Sequence, residues 1–162
     1  MSGLAEIPVK FILPSGAIVP DGSSPSKYVD ASPCVEIGFF FSEAAFAGKT
    51  QDIQFETQLA LIDTGASHIM ATPDLIERHQ CRRQPTGRHL RINTDIEAKQ
   101  YDALLFLKEN RTILSTTVYE HNVHKAVPQC SIILGRTFLE RCIMTWHGPK
   151  HAVSIRYIQN QG

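Results

Sequence analysis

The sequence predicts a mainly β protein, and three observations carry that expectation. Several short runs alternate apolar and polar residues with the period of two that a half-buried strand needs. Residues 60–62 (Ala-Leu-Ile) form an apolar run that stops at Asp63-Thr64-Gly65. A later run, Ile132-Ile133-Leu134, stops in the same abrupt way at Gly135-Arg136. Turn residues punctuate these runs at short intervals, and no helical apolar stripe of any length interrupts them.

The composition fits one globular core. The chain has 162 residues, 43% hydrophobic and 20% charged, which is long enough to bury a single interior. Sixteen basic residues balance sixteen acidic ones, so neither a nucleic-acid footprint nor a polyanionic partner is indicated; neutrality also favours association. No apolar run approaches the roughly 18 residues of a membrane span, so no membrane partner is expected. The start, Met1-Ser2-Gly3-Leu4-Ala5-Glu6, lacks the basic head and long apolar stretch of a secretory leader, and a cytoplasmic location is the default expectation. The four cysteines, Cys34, Cys81, Cys130 and Cys142, include no Cys-x-x-Cys pair and read as free thiols. His121 and His124 lack a cysteine or carboxylate at a familiar ligand spacing, so no metal and no cofactor is expected.

Taken in order, residues 7–13 suggest a strand and residues 17–19 a second short one. Pro20-Asp21-Gly22-Ser23-Ser24-Pro25-Ser26 then has the composition of a loop or linker. Residues 1–33 accordingly read as an N-terminal arm or added hairpin, or as a segment reaching toward a partner subunit, ahead of a domain over 34–162. Residues 34–39 alternate well enough for the first strand of that domain, and Phe39-Phe40-Phe41 reads as core. Residues 53–59 alternate and feed into the strand that ends at Asp63. Thr72-Pro73-Asp74 offers an N-cap, a proline at the first helical position and an acidic first turn, predicting a short helix over 73–78. A basic, turn-forming stretch over 82–88 precedes alternation over 89–96. Residues 101–107 and 112–119 read as a strand pair about the turn 108–111. Residues 121–129 read as a loop, 137–141 as the start of a short helix, and 142–146 with 152–157 as a terminal hairpin. Trp146, the single tryptophan, reads as packing or interface.

The two apolar strands with their distinctive ends, Ala60-Leu61-Ile62-Asp63-Thr64-Gly65-Ala66-Ser67 and Ile132-Ile133-Leu134-Gly135-Arg136-Thr137-Phe138-Leu139, together resemble the retropepsins, the single-domain aspartic proteases of retroviruses, retrotransposons and some bacteria. Lys99-Gln100-Tyr101-Asp102 is a weaker likeness, to the strand that descends from the flap in that family. The resemblance implies a closed β-barrel-like retropepsin (acid protease) fold with one or two short helices, active as a twofold dimer. It implies an aspartic endopeptidase acting on peptide or protein substrates.

Asp-Thr-Gly occurs once. Peptide hydrolysis of this kind uses two carboxylates that share one proton: one draws a proton from water, and the other, protonated, polarises the scissile carbonyl. A chain with a single such motif must take its second carboxylate from another copy. A homodimer with the two Asp63 side chains meeting on the axis is the economical solution.

The resemblance also implies roles for the neighbours. Thr64 would direct its hydroxyl across the axis, Gly65 would let substrate backbone approach, and Ala66 and Ser67 would form small parts of the cleft floor. Gly135 would pack behind the active loop and Arg136 would brace the dimer. Ile132 and Ile133 would line substrate pockets, with Leu90, Ile92 and Asn93 near the flap tip, where the chain departs from the glycine-rich viral pattern. A second departure is Ser67, where viral enzymes usually carry an aspartate that pairs with the arginine equivalent to Arg136, so Arg136 needs another partner, such as a backbone carbonyl. An alternative is a non-catalytic retropepsin-fold dimerisation or peptide-binding module, and a third a purely structural assembly domain.

Overall fold

In the computed structural model, residues 4–20, 30–49, 53–85, 99–147 and 152–159 are described. Twelve strands and four short helices are present among them. The strands are β1 (Leu4–Ile7), β2 (Val9–Ile12), β3 (Ile18–Pro20), β4 (Ser32–Phe40), β5 (Glu56–Ile62) and β6 (Ile69–Ala71). They continue with β7 (Arg82–Arg83), β8 (Gln100–Leu107), β9 (Thr112–Glu120), β10 (Ile132–Leu134), β11 (Cys142–His147) and β12 (Ala152–Ile158). The helices are α1 (Glu43–Phe46), α2 (Pro73–Arg78), α3 (Val123–Ala126) and α4 (Arg136–Leu139).

A mainly β architecture is therefore what the chain adopts. Nine strands hydrogen-bond in the order β3-β2-β4-β5-β10-β6-β9-β8-β7, and β8 pairs back onto β4. That extra pairing, with Gly38 opposite Phe106 and Phe40 opposite Leu104, closes β4, β5, β10, β6, β9 and β8 into a six-stranded barrel. Gly38 makes the closure possible. It faces Thr57 on one side and Phe106 on the other, and a Cβ there would lie 2.8 Å from the Phe55 ring and 2.9 Å from the Phe106 Cβ. Two of the helices exceed the one or two expected. α1 and α3 are four-residue turns, too short for any apolar period to announce them.

The run over residues 7–13 does not stay in one strand. Pro8 has no N–H to give to a ladder, and the chain changes sheets there. β1 pairs with β12 in a separate three-stranded sheet, β1-β12-β11, while β2 joins β4 and forms a hairpin with β3. β2 and β3 pair as a hairpin over residues 9–20. Ile7, Val9 and Phe11 are buried in the same cluster as Val35, Ile62, Leu105, Leu134 and Ile155, so the core continues across residue 33.

Several expected elements are present with shifted ends. Residues 53–55 precede β5 rather than joining it. The helix at Pro73 spans residues 73–78, although the Thr72 side chain makes no cap bond to it. The loop expected over 121–129 contains α3, which leaves His121 and His124 exposed. No helix among the described residues is long and apolar enough to cross a membrane.

Candidate active site

The local sequence explains why Asp63 stands where it does. β5 is buried at Ala60 and Ile62 because it lies inside the barrel sheet, antiparallel to β4 and parallel to β10. Its apolar side chains end at Ile62, and the turn of Thr64 and Gly65 lifts the next carboxylate out of the interior. Asp63 is half-buried, with Thr64 and Gly65 exposed beside it.

The loop after Asp63 is held from within. The Gly65 N–H donates to Asp63 Oδ1 at 2.9 Å, and the Ala66 N–H donates to the Asp63 carbonyl at 3.2 Å. One carboxylate oxygen is thereby fixed by a backbone donor.

The loop is also clamped to the second motif. The Asp63 N–H donates to the Leu134 carbonyl at 3.2 Å, the Arg136 N–H to the Ala66 carbonyl at 2.9 Å and the Thr137 N–H to the Ser67 carbonyl at 3.1 Å. Arg136 Nη2 donates to the Ser67 hydroxyl at 2.8 Å. Among the described residues, the partner of the Arg136 guanidinium is Ser67 itself. Gly135 is the tightest point of this clamp: a Cβ on it would lie 2.3 Å from the His68 carbonyl oxygen and 2.7 Å from that of Ala66. Any side chain would push the two motifs apart.

These contacts bring together Asp63, Thr64, Gly65, Ala66, Ser67, Gly135 and Arg136, all seven from two stretches far apart in sequence. Ile132 and Ile133, expected to line substrate pockets, are both buried in the single copy. β10 is hydrogen-bonded to β5 along one edge and to β6 along the other. Ile132 is 0% exposed in the main core, and Ile133 is 6% exposed in a second cluster with Met70, Tyr119 and Cys130. Leu90, Ile92 and Asn93 lie outside the described residues.

The residues before and after that stretch are described: the Gln84 N–H donates to the Gln100 carbonyl at 2.9 Å, and the Gln84 side chain donates to Asp102 and Thr117. Arg82 ties β7 to β8 and α1 by bonds to Asp102 and Glu43, and its guanidinium lies over the Phe46 ring. The sequence marked this stretch only as basic and turn-forming.

A feature the sequence did not announce lies next to the loop. The His68 ring stacks on Tyr119 with centroids 4.5 Å apart. It borders a groove of about 530 Å³ that also touches Thr137, Arg141 and Tyr157, with Asp63 outside it. Among the described residues no group of three or more His, Cys, Asp or Glu side chains is placed to hold a metal ion.

Solved structures that resemble the chain include the following two. One is a retropepsin-like aspartic protease from Rickettsia conorii, 13% identical, covering 99% of this chain and 97% of that one, with a TM-score of 0.49. The other is EIAV protease complexed with the inhibitor HBY-793, 18% identical, covering 70% of this chain and 89% of that one, with a TM-score of 0.43. No protein-family model matches the chain, and no curated protein matches its sequence.

Proposed function

We propose that the chain is an aspartic endopeptidase that works as a homodimer, with Asp63 from each copy forming the catalytic pair. The observation that carries this reading is the placement of Asp63. Its carboxylate stands at the end of a buried strand, on a short loop of small residues, with one oxygen held by the Gly65 N–H and the loop locked from behind through Gly135 and Arg136. Such a mount holds a reacting group in place without surrounding it, as a cleft shared between two copies requires.

In the proposed reaction the ionised Asp63 of one copy takes a proton from a water lying between the carboxylates. The water oxygen attacks the peptide carbonyl carbon, and the protonated Asp63 of the other copy gives its proton to the carbonyl oxygen. The resulting diol collapses as the first Asp63 passes the proton it took from water to the amide nitrogen, which leaves as an amine, while a diol hydroxyl returns a proton to the other Asp63 and restores the pair. No covalent intermediate forms. Two like charges about 3 Å apart cannot both persist, so the pair holds one proton between them. In this reading Thr64, exposed beside Asp63, bonds across the axis, and the exposed Gly65 admits an extended substrate backbone.

The test is cleavage of a diverse peptide mixture by the wild type and by Asp63→Asn, from acidic to neutral pH and at high protein concentration. Cleavage by the wild type that disappears in the variant is the expected outcome. Undiminished cleavage by Asp63→Asn would overturn the mechanism, and absence of cleavage from both would leave a peptide-binding role as the better account.

A further inference from the structure

We propose that the edge of β9 over residues 114–117 is a second binding site for polypeptide. An extended segment of the substrate, outside the residues at the cut, adds to this edge as a strand and fills the groove that starts at His68. The inference rests on the protease reading above and names the substrate class it favours, an unfolded chain long enough to reach from Asp63 into the groove.

β9 pairs with β8 from Thr112 to Tyr119. On its other edge β6 covers only the last three residues, with Ile69 opposite Val118, Met70 opposite Tyr119 and Ala71 opposite Glu120. That pairing is parallel, so the place beside residues 114–117 is the one that the four residues ahead of Ile69 would take if the chain ran straight. It does not run straight. Ala66 and Ser67 are drawn to the start of α4 instead, where their carbonyls accept from the Arg136 and Thr137 N–H groups. Among the described residues no other strand pairs with β9 there.

The place is an open groove. Leu114, Ser115, Thr116 and Thr117 all border the same space of about 530 Å³. Successive side chains of a strand point to opposite faces, so four residues in a row border one groove when the strand turns its edge toward it. The opposite wall comes from α4 and the turn after it, through Glu140 and Arg141, and the His68–Tyr119 stack marks one end. Four residues of edge span about 13 Å. A strand added there continues the line of β6 backward, between β9 and α4.

The lining indicates the occupant. An edge strand presents alternate N–H and C=O groups that lack ladder partners, and another extended backbone satisfies them. The charges on the groove are of both signs: Glu140 and Arg141 stand side by side, and Asp102 is bonded to Arg82. Such a lining favours neither an anion nor a nucleic acid, whereas a peptide backbone needs no net charge. Position selects the substrate as the source of that peptide. His68 directly follows Ser67 of the active loop and its carbonyl is packed against Gly135, so the groove opens one residue from the loop that carries Asp63. A long chain leaving the cleft on this side meets the β9 edge. Its added contacts are the same before and during the reaction, so they lower KM and leave kcat alone.

The kinetic test takes one peptide cut in the mixture and prepares it as an octapeptide centred on the cut and again with six further residues at each end. The wild type should use the long form about tenfold better in kcat/KM, through KM. Ser115→Trp and Glu140→Trp place an indole in the groove from opposite walls. Each should remove the advantage of the long form and leave the octapeptide unchanged, as should backbone N-methylation of the added residues in the wild type. Should one tryptophan variant fail to fold by far-UV circular dichroism, the other and the methylated peptide still decide. Binding is read apart from cleavage by the fluorescence anisotropy of labelled, reduced and carboxymethylated lactalbumin titrated with Asp63→Asn. The affinity should fall about tenfold when Ser115→Trp or Glu140→Trp is added. Equal kcat/KM for the two lengths, an advantage that survives in the folded tryptophan variants, or unfolded protein bound equally well with and without them would overturn the proposal. Binding that the tryptophan variants weaken, in a chain that cuts nothing, would uphold the groove and remove the protease reading. Cleavage that depends on Asp63 but not on substrate length would do the reverse.

Discussion

Arg136 donates to the Ser67 hydroxyl across the junction of the two motifs, at 2.8 Å. Its backbone N–H meets the Ala66 carbonyl a residue earlier in the same loop. The side-chain bond is exposed and its acceptor neutral, which limits its worth to about 1 kcal/mol or less. Ser67→Ala should lower stability by that amount, read as a shift of the urea midpoint at constant slope. An unchanged midpoint would mean that the backbone clamp alone positions the loop.

Gly135→Ala should be far more damaging. A methyl group 2.3 Å from the His68 carbonyl oxygen meets backbone rather than a side chain that can turn away, so one of the two motifs must move. Overpacking of this kind costs about 3 kcal/mol. Urea unfolding of the variant should show that loss, and cleavage should fall with it because Asp63 rides on the displaced loop. A variant as stable as the wild type would show that the two motifs are not packed this closely.

The close packing at Gly135 was legible in the sequence only as a family likeness; its physical cause, a carbonyl within 3 Å, requires coordinates. A strand whose residues alternate, such as β12, could be read directly, because period two and a buried face are the same fact stated twice. Ile132 and Ile133 could not be assigned in this way. An apolar run of three looks identical whether it lines a cleft or fills a core, and only tertiary placement shows that both residues are buried here. Pro8 was visible, but the switch of sheets it marks depends on β12, nearly the whole chain away. For β11 the sequence offered an apolar strand, and the exposure of both its faces follows from tertiary placement alone.

Acid should weaken the fold through two carboxylates. Lys10 and Lys108 bond to Glu36, at 2.8 and 3.2 Å, and hold its carboxyl below the usual carboxylate range. Arg78, and after it His79, do the same for Glu56. A carboxyl with a depressed folded-state value contributes stability that is complete above the unfolded value and is lost as pH falls through the folded one. Both contributions are therefore intact at neutral pH and disappear below the ordinary carboxylate range. Glu36→Gln/Glu56→Gln should be less stable than the wild type at pH 7, and the difference should narrow as pH falls toward 3. Thermal melts across that range measure it, and a constant difference would assign the effect to packing. If cleavage has an acidic optimum, these ion pairs set its lower limit.

The four thiols should be slow to react while the chain is folded. Burial pushes Cys34 and Cys142 up to about 11, and Cys81 and Cys130 up to about 12. The thiolate is the reactive form, and at pH 8 it would make up roughly one part in a thousand or less of each group, compared with about a quarter of an ordinary cysteine. Access adds a second barrier at Cys34 and Cys130, which are buried together in one cluster. A disulfide-exchange reagent at pH 8 should therefore release almost no colour from the native protein within minutes, and four equivalents once denaturant is added, without prior reduction. Cys81 and Cys142, half-buried, should react first when the native protein is left for longer, whereas Cys34 and Cys130 should follow the rate of unfolding. Rapid reaction of any thiol in the folded protein would contradict its burial. Fewer than four equivalents after denaturation would mean that a pair had joined in a disulfide.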